Sequence, residues 1–318
     1  MSLFKFLREV SGKRTMPAWI ILMILVVFVI ATSPFFLQAD NIGNVLRQSV
    51  ALGIVSIGQT YVILIAGIDL SVGSTISLVS VLSTGMMAGR TEMILPAVAM
   101  SLVLGLVIGL INGLIVTKLK VPDFLVTLGM MFMIGGAALA YTPKPAGLVA
   151  KPFATIARAS WGPLPFSVIG FAFLVVVAIL VLNKTTLGRY IYAVGGDAEV
   201  ARLSGIQVGQ TKLLAYLICG FTSALTGLFV ASRTTIGDPT VGSGFELASI
   251  AAVVIGGTSL FGGRGGLSGT IVGVLIMSVL ANVLNLHSVG GYTQLMIRGI
   301  IIILVVSLYE RKRALVVG

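Results

Sequence analysis

The sequence predicts an all-α polytopic membrane protein with about ten transmembrane helices in two inverted five-helix repeats. Three observations lead to this prediction. The 318 residues are 57% hydrophobic and only 10% charged, with a mean hydropathy of +1.10, whereas an ordinary soluble domain has about 25% charged residues. The apolar residues fall into runs long enough to cross a bilayer. Short segments of the first half also have counterparts in the second.

The spans are placed by runs and breaks in the hydrophobic pattern, because a helix needs about 20 apolar residues to cross the hydrocarbon core. Four basic residues precede the first run, as in a cleavable signal, but the length of that run and the spans behind it favour a retained helix. Two of the spans are short and rich in Ser and Gly, those at 71–88 and 245–260. The predicted spans are 17–37, 45–66, 71–88, 94–116, 123–142, 165–183, 213–231, 245–260, 267–285 and 292–309.

The basic residues predict the orientation, because Lys and Arg accumulate in cytoplasmic loops. With the N-terminus inside, fourteen basic residues are cytoplasmic and six are external, and ten spans then bring the C-terminus inside as well. Arg298 is left within the last span, where it pairs with an unidentified acid or reaches the outer interface. The basic clusters form no continuous stripe, so the net charge of +11 does not indicate a nucleic-acid partner. The external residues are Arg47, Arg90, Lys144, Lys151, Arg158 and Arg233.

Two pairs of segments indicate the inverted repeat. Ile68-Asp69-Leu70-Ser71 opens the third span and Phe245-Glu246-Leu247-Ala248 opens the eighth, each placing an acid and a Leu before a helix of small residues. GLINGLIV at 109–116 pairs with ANVLNL at 281–286. Residues 1–318 would then form a single transmembrane domain, with one repeat at 17–142 and the other at 165–309. Chance similarity among glycine-rich apolar segments is the alternative.

The predicted cytoplasmic loop 183–212 is long and contains its own helix signals. Gly195-Gly196 breaks the chain, Asp197 is a typical N-cap, and the sequence AEVARLSG predicts a short helix that ends at Gly205. Val200, Leu203 and Ile206 recur every three residues, which would give the helix one apolar side able to dock in a groove. A solvated linker is the alternative, but linkers rarely combine these signals.

Three motifs resemble a known family. AGIDLSVGS at 66–74, GRYIYAVGGDAEVARLSGIQV at 188–208 and AAVVIGGTSLFGGRGG at 251–266 resemble, in this order and spacing, the membrane permeases of ribose-type ABC importers. The resemblance runs from residue 17 to 313. It implies a multi-pass permease of the bacterial inner membrane that imports a monosaccharide, ribose or a similar pentose. Another polyol, a furanose, a nucleoside or a signalling sugar is the alternative substrate within this family.

The resemblance also implies partners. These permeases work in pairs within the membrane lipid, as a homodimer or with a related permease. A cytoplasmic ABC ATPase subunit holds ATP and Mg, and a periplasmic binding protein delivers the sugar. The loop helix of the permease inserts into the ATPase and transmits its closure. In this sequence the coupling helix corresponds to Gly196, Asp197, Ala198, Glu199, Val200, Ala201, Arg202, Leu203, Ser204, Gly205 and Ile206.

The chain has no sequence signal of an enzyme. A phosphate-binding loop needs G-x-x-x-x-G-K-[ST], and the Gly12-Lys13 pair has Leu7 in place of the first Gly and Arg14 after the Lys. One His and one Cys are too few for a thiolate metal cluster, and neither residue lies in a sequence motif of a catalytic triad or dyad. We therefore expect no catalytic residue, cofactor or metal in this chain.

Polar residues within the spans are candidates either for capping broken helices or for lining the substrate pathway. Asp69 would accept hydrogen bonds at the start of its helix, where the helix dipole also favours a negative charge, and Glu246 would do the same at the opposite face. Ionisable groups at membrane depth are also functional candidates, whereas the amides more commonly join helices. The remaining candidates are Gln59, Ser71, Asn112, Thr258, Asn282 and Asn285.

Two other classes of transport protein would share some of these features. An ion-coupled secondary carrier would fit the inverted repeat and the membrane carboxylates, but it has no need of a docking helix. A channel would need rings of like charge or a filter loop, and the sequence shows neither.

Overall fold

The computed structural model describes residues 3–161 and 164–300, apart from 292, 295 and 298. The first half contains α1 (Leu3–Thr32), α2 (Ala39–Leu64), α3 (Val72–Met87), a 3-10 helix (Thr91–Met93), α4 (Ile94–Lys118), α5 (Asp123–Tyr141) and α6 (Lys151–Arg158). A two-residue hairpin pairs β1 (Ser160–Trp161) with β2 (Leu164–Pro165). There follow α7 (Phe166–Lys184), α8 (Thr186–Gly196), α9 (Ala198–Leu203), α10 (Val208–Thr234), α11 (Phe245–Ile255) and α12 (Leu267–Leu286).

The chain is a multi-pass helical membrane protein. Within its described part, six segments are long and apolar enough to span a bilayer: Thr15–Thr32, Thr91–Lys118, Asp123–Tyr141, Phe166–Lys184, Val208–Thr234 and Leu267–Leu286. Each predicted span from 17–37 to 267–285 overlaps a helix. The tenth, 292–309, extends beyond the described residues, and Arg298 lies outside them.

Several predicted boundaries differ from the structure by up to about six residues, and two predicted segments differ for a clear physical reason. The span 245–260 ends earlier, at Ile255, because Gly257 has a φ of +93° and turns the chain out of the helix. The loop 183–212 is mostly helical, since α7 ends at Lys184, α10 begins at Val208, and α8 and α9 lie between them. The α8 helix forms because its buried residues Ile191 and Val194 pack onto the main hydrophobic core, a contact that local sequence does not reveal.

The centre of the bundle is formed by α2 and α10. The α10 helix packs against α2, α3 and α4, and α2 packs also against α7, α11 and α12. Every residue of α2 from Ser49 to Leu64 is buried. Because protein rather than lipid surrounds this part of the helix, it can carry polar residues, which explains why α2 is not among the six segments above despite its 26 residues.

Glycines permit the close approach of α4 and α10. Gly105 lies against Gly220, and Gly109 lies against the carbonyl group of Tyr216. A Cβ atom added at Gly109 would overlap the Tyr216 carbonyl oxygen. Small residues at four-residue spacing allow helix backbones to meet in a membrane, where lipid supplies no hydrophobic drive for association.

The bundle has two ends that can be named by their short helices. At the α9 end, Gly195 of α8 lies against Leu64 and Gly263, and Thr15 of α1 lies beside Gly269 near the start of α12. At the α6 end, the Ser232 hydroxyl of α10 donates a hydrogen bond of 2.6 Å to a carbonyl oxygen of α6. The beginning of the apolar part of α1 and the α8–α9 segment therefore share one end.

Replacing Gly109 with Ala is expected to destabilise the protein by about 1–3 kcal/mol, the usual cost of overpacking. Gly129→Ala is the matched control, because no atom lies within 4 Å of the Cβ position at Gly129. That control should be neutral or stabilising by up to about 1 kcal/mol, since Ala is the better helix former. Thermal unfolding of the detergent-solubilised variants measures both effects. Equal shifts in the two variants would contradict the close packing of α4 and α10.

Candidate functional site

Two non-helical segments enter the helix bundle. The first break, residues 65–71, joins α2 to α3, and the second break, residues 235–244, joins α10 to α11. The helices that follow them are short: α3 has 16 residues and α11 has 11, or about 24 and 16 Å, against a hydrocarbon core of about 30 Å. Irregular backbone at membrane depth must be buried in protein or line a cavity, because lipid cannot hydrogen-bond to it.

Asp69 organises the first break. Its Oδ1 atom accepts hydrogen bonds from the backbone N–H of Ser71 at 2.9 Å and from the Ser71 hydroxyl at 2.6 Å, just before α3 begins. The preceding N–H group, of Ile68, donates to the Asp123 carboxylate at the start of α5 at 2.5 Å. The Ile68 carbonyl accepts from the Thr127 hydroxyl at 3.2 Å. Side chains thus provide hydrogen-bond partners for backbone groups between α2 and α3.

Asp238 has the same role in the second break. Its Oδ1 atom accepts from the backbone N–H of Thr240 at 2.7 Å and from the Thr240 hydroxyl at 2.8 Å. The break also runs beside α3, whose Ser80 and Ser77 hydroxyls accept from the N–H groups of Asp238 at 3.4 Å and Gly242 at 2.9 Å. The chain therefore returns into the bundle before α11 begins.

The two breaks share a sequence pattern and a local conformation. Asp-x-Ser/Thr-Val-Gly-Ser occurs at 69–74 and again at 238–243. Three residues before each Asp, Ala66 and Thr235 have φ values of +61° and +66°. Gly73 and Gly242 lie against each other's carbonyl groups, where neither has room for a Cβ atom. This repeated pattern is the sequence signal that identifies the second break.

Glu246 occupies a different position from the one expected. The sequence predicts Glu246 as the counterpart of Asp69, a cap at the opposite face, but Asp238 takes that position in the second break. The Glu246 carboxylate accepts from the Gly244 N–H at 3.0 Å and lies against Gly73 at the start of α3. The expectation of opposite faces is wrong because the second break returns along α3 and brings the start of α11 beside the start of α3.

Four of the predicted polar residues lie close together. The Asn112 amide donates to the Ser71 hydroxyl at 2.9 Å, and the Cys219 thiol lies 3.8 Å from the Gln59 carbonyl oxygen. Asn112 and Cys219 also contact the Asp69 carboxylate. Among the described residues, the amide nitrogen of Gln59 and the amide oxygen of Asn112 have no hydrogen-bond partner. The first break is thus surrounded by a buried polar cluster with spare hydrogen-bonding capacity.

The other predicted residues are separate from this cluster. Thr258 accepts a hydrogen bond of 3.2 Å from the Gly266 N–H, just before α12 at the α9 end. The Asn282 amide exchanges hydrogen bonds of 2.7 and 3.1 Å with Asn41, joining α12 to α2. The Asn285 carbonyl oxygen accepts from the side chain of Gln294 at 2.7 Å. These contacts hold helices and loops together.

Two cavities of about 390 Å³ lie at opposite ends of the bundle, and neither is lined by any of the eight predicted polar residues. The cavity at the α9 end is lined by residues that include Ala66, Lys120, Asp123, Lys212 and Tyr216. The cavity at the α6 end lies between α2, α10, α11 and α12, and its lining includes Gln48, Arg233, Ser243, Phe245 and Ser278. Sequence reasoning misses these residues because no motif marks them, although the predicted external set includes Arg233.

The α9 helix is capped and exposed. As predicted, Asp197 is its N-cap, and the Oδ1 atom accepts from the N–H groups of Glu199 at 2.9 Å and Val200 at 3.0 Å. Arg202 forms an ion pair with Glu199, and this hydrogen bond lowers the pKa of the Glu199 carboxyl group. The exposed fractions of Val200 and Leu203 are 59% and 72%. These two apolar side chains are free to meet another surface.

The third predicted apolar residue of the docking face does not belong to it. Ile206 is only partly exposed and packs against the main hydrophobic core. Gly205, with a φ of +83°, ends the helix and reverses the chain direction, so the three-residue spacing does not continue on one face. The exposed apolar face of α9 therefore consists of Val200 and Leu203.

The chain belongs to a family of transport permeases. Residues 41–306 match the family described as the permease component of branched-chain amino acid transport systems. Among individual proteins, the chain is 39% identical to the ribose import permease protein RbsC of Escherichia coli (strain K12), over 96% of this chain and 99% of that protein. It is 42% identical to RbsC of Bacillus subtilis (strain 168), over 92% of each chain. These matches confirm the family resemblance.

Relatives of lower sequence identity are named as permeases for other pentoses. The chain is 34% identical to the L-arabinose transport system permease protein AraH of Escherichia coli (strain K12), over 87% of this chain and 84% of that protein. No solved structure matches the chain.

Replacing Asp69 with Ala is expected to destabilise the protein by about 1–3 kcal/mol, because the N–H group and hydroxyl of Ser71 would lose their acceptor in a buried site. Asp238→Ala is the matched control, since it removes the same two kinds of hydrogen bond at a partly exposed position where water can replace the acceptor. Thermal unfolding in detergent would compare the variants. A loss at Asp238 as large as that at Asp69 would contradict this account.

Proposed function

We propose that this chain is the membrane permease of an ATP-driven importer for ribose. The observation that carries the proposal is a capped helix, α9, that projects exposed apolar side chains from the bundle of a protein similar to ribose import permeases along almost its whole length. A second pentose is a competing substrate, because the chain is also similar to arabinose and xylose permeases. An ion-coupled carrier has no ATPase subunit and would not need an exposed docking helix such as α9.

The α9 end faces the cytoplasm of a bacterial inner membrane in this proposal. The distribution of basic residues supports this orientation. It agrees with the position of Thr15, which puts the start of the first span at the same end as α8 and α9. With ten spans, the C-terminus is cytoplasmic as well.

The architecture we propose is two inverted repeats of five helices. In support, α2 packs on α11 and α12, and α10 packs on α3 and α4. This is expected if α2 and α10 are equivalent helices and each packs against the other repeat. The shared Asp-x-Ser/Thr-Val-Gly-Ser pattern and the mutual contact of Gly73 with Gly242 would put the pseudo-two-fold axis between these two glycines.

The partners follow from the importer class. A cytoplasmic ATPase subunit would hold ATP and Mg and receive α9 in a groove, with Val200 and Leu203 as the docking residues. A periplasmic sugar-binding protein would dock at the α6 end, against residues 143–164 and 232–244. A second copy of the permease would complete the transporter, and the sugar would cross the membrane between the two copies.

Movement of α9 has a direct structural route to the first break. Gly195, two residues before the start of α9, lies against the Leu64 carbonyl at the end of α2 and against Gly263 in the loop after α11. The Gly263 N–H also donates to the Leu64 carbonyl at 2.9 Å. Closure of the ATPase would therefore shift the ends of α2 and α11 together and rearrange the polar cluster around Asp69.

Cells that carry the whole transport system are expected to take up labelled ribose in an ATP-dependent manner. ATP depletion should abolish uptake, while a protonophore applied at maintained ATP should not. Unlabelled ribose, arabinose and xylose would be compared as competitors, and the strongest competitor identifies the sugar. Uptake that followed the proton gradient would refute the ABC mechanism.

Leu203→Glu should uncouple the transporter, because a charge would replace an apolar side chain in the proposed ATPase groove. We expect uptake to fall severely while the permease is still made and inserted. Leu119→Glu is the matched control, since Leu119 is 69% exposed and follows the last residue of α4, whose end shares the α9-end cavity. Binding of the purified ATPase to each variant gives a second readout. Normal uptake by Leu203→Glu would exclude α9 as the coupling helix.

A further inference from the structure

The cavity at the α9 end lies where three segments of the chain meet. Its volume is about 390 Å³, and its lining comes from the first break (Ala66 and Gly67), from the turn between α4 and α5, and from the first turns of α10. The α4 helix ends at Lys118, whereas α5 begins at Asp123 and α10 at Val208. The ends of membrane helices lie at the level of the lipid headgroups. The cavity therefore lies at that level.

Hydrogen-bond donors without partners are concentrated in this lining. Lys120 and Lys212 both line the cavity, and within the described part of the chain neither ammonium group has an ion-pair or hydrogen-bond partner. The α10 helix begins at the cavity without a side-chain cap, and the N–H group of Gly209 in its first turn also has no partner among these residues. Two ammonium groups beside a free helix N-terminus form a combination that binds anions.

A buried hydroxyl group belongs to the same lining. Tyr216 is fully buried, and its hydroxyl forms no hydrogen bond with any described residue. This hydroxyl lies beside Gly67, where it leaves no room for a Cβ atom, and both residues line the cavity. A buried polar group without a partner is costly. A ligand that placed an acceptor oxygen here would supply the missing hydrogen bond.

The negative charge in the lining already has a partner. Asp123 lines the cavity, but its Oδ2 atom accepts the hydrogen bond of 2.5 Å from the Ile68 N–H. Two lysines against one aspartate leave the lining with a net positive charge. The complementary ligand is an anion whose oxygens can accept several hydrogen bonds, and a phosphate group is the anion that lysines and helix N-termini commonly bind.

The position of the cavity favours a phosphate that belongs to a lipid. The two helices joined by the α4–α5 turn lie on the outside of the bundle, since 28% of the apolar part of each is buried, against 67% for α10. Phe124 and Leu125, next to Asp123, are exposed. Acyl chains can lie along such side chains while the headgroup enters the cavity. Basic pockets between membrane helices bind anionic headgroups in this way.

We propose that this cavity binds the phosphate group of an anionic phospholipid headgroup. Lys120 pairs with the phosphate from the α4–α5 turn and Lys212 from α10. The Gly209 N–H and the Tyr216 hydroxyl donate to oxygens of the same headgroup. The bound lipid would join the α4–α5 turn, the first break and the start of α10. The site does not depend on the transported sugar, so it goes beyond the proposed function.

Thermal unfolding of the full-length chain in neutral detergent tests the site. The probe is dioleoyl-phosphatidylglycerol, and dioleoyl-phosphatidylcholine, which has no net charge, is the comparison. Phosphatidylglycerol should raise the unfolding temperature saturably. Lys120→Gln combined with Lys212→Gln should raise the half-saturating lipid concentration by about tenfold or more, since hydrogen bonds to a charged group are lost. Lys118→Gln combined with Lys184→Gln is the matched control, because both residues are exposed and neither lines the cavity.

Two tyrosine variants give an independent test. Tyr216→Phe removes a hydroxyl that has no partner in the protein, so the lipid-free chain should unfold at the same or a higher temperature, while its affinity for phosphatidylglycerol falls about tenfold. Tyr61→Phe is the control, since its hydroxyl donates a hydrogen bond of 2.7 Å to the Ala178 carbonyl. That variant should be less stable without lipid and should keep its lipid affinity. A purely structural role of the Tyr216 hydroxyl would give the Tyr61 pattern at both positions.

Soluble phosphates in the same titration decide the source of the phosphate group. If glycerol 3-phosphate or inorganic phosphate gave the full shift at the same concentration and required the same lysines, the phosphate site would stand and its ligand would be soluble. Phosphatidylglycerol that stabilised no more than phosphatidylcholine, with no effect of soluble phosphate, would overturn the proposal. An equal loss of affinity in the Lys118 and Lys184 control would also overturn it, because the attraction would then be to the net charge of +11. None of these measurements involves ribose uptake, so the proposed function can fail separately.

Discussion

The arrangement of the helices depends on hydrogen-bond partners for the backbone N–H and carbonyl groups of two breaks inside the bundle. Lipid offers no hydrogen bonds, so each N–H and carbonyl group that leaves a helix there must find a partner in the protein or in a water-filled cavity. Asp69 and Asp123 provide acceptors for the first break, and Asp238 with the hydroxyls of Ser77 and Ser80 does so for the second. Carboxylates and serines within spans are therefore explained first by this requirement.

The breaks determine how the central helices are arranged. Because α3 and α11 start inside the bundle beside each other, α2 and α10 must surround them, and almost no lipid contact is left for α2. Close approach then requires glycine, as at Gly73, Gly109 and Gly242. Short helices leave unfilled space at the two ends of the bundle, and the cavities lie at those ends. One constraint on backbone hydrogen bonding thus accounts for polar residues, glycines and cavities together.

The same arrangement connects the two ends of the molecule. The loop after α11 hydrogen-bonds to the end of α2 through Gly263 and Leu64, and α8 packs against both. A displacement at the α9 end consequently reaches α2 and α11, and both of these helices also line the cavity at the α6 end. In the proposed importer, these contacts would link the ATPase side directly to the cavity at the α6 end.

The sequence by itself determined the helical membrane class, the approximate positions of the six long apolar helices and the cap at Asp197, because hydropathy and capping are local properties. It also identified Asp69, since a carboxylate within apolar sequence is conspicuous. Only the tertiary structure decided that Asp238 rather than Glu246 corresponds to Asp69, that Ile206 turns inward, and that Arg233 and Ser278 share a cavity. Those results depend on how distant helices pack and where the chain re-enters the bundle, and residue spacing along one segment does not contain that information.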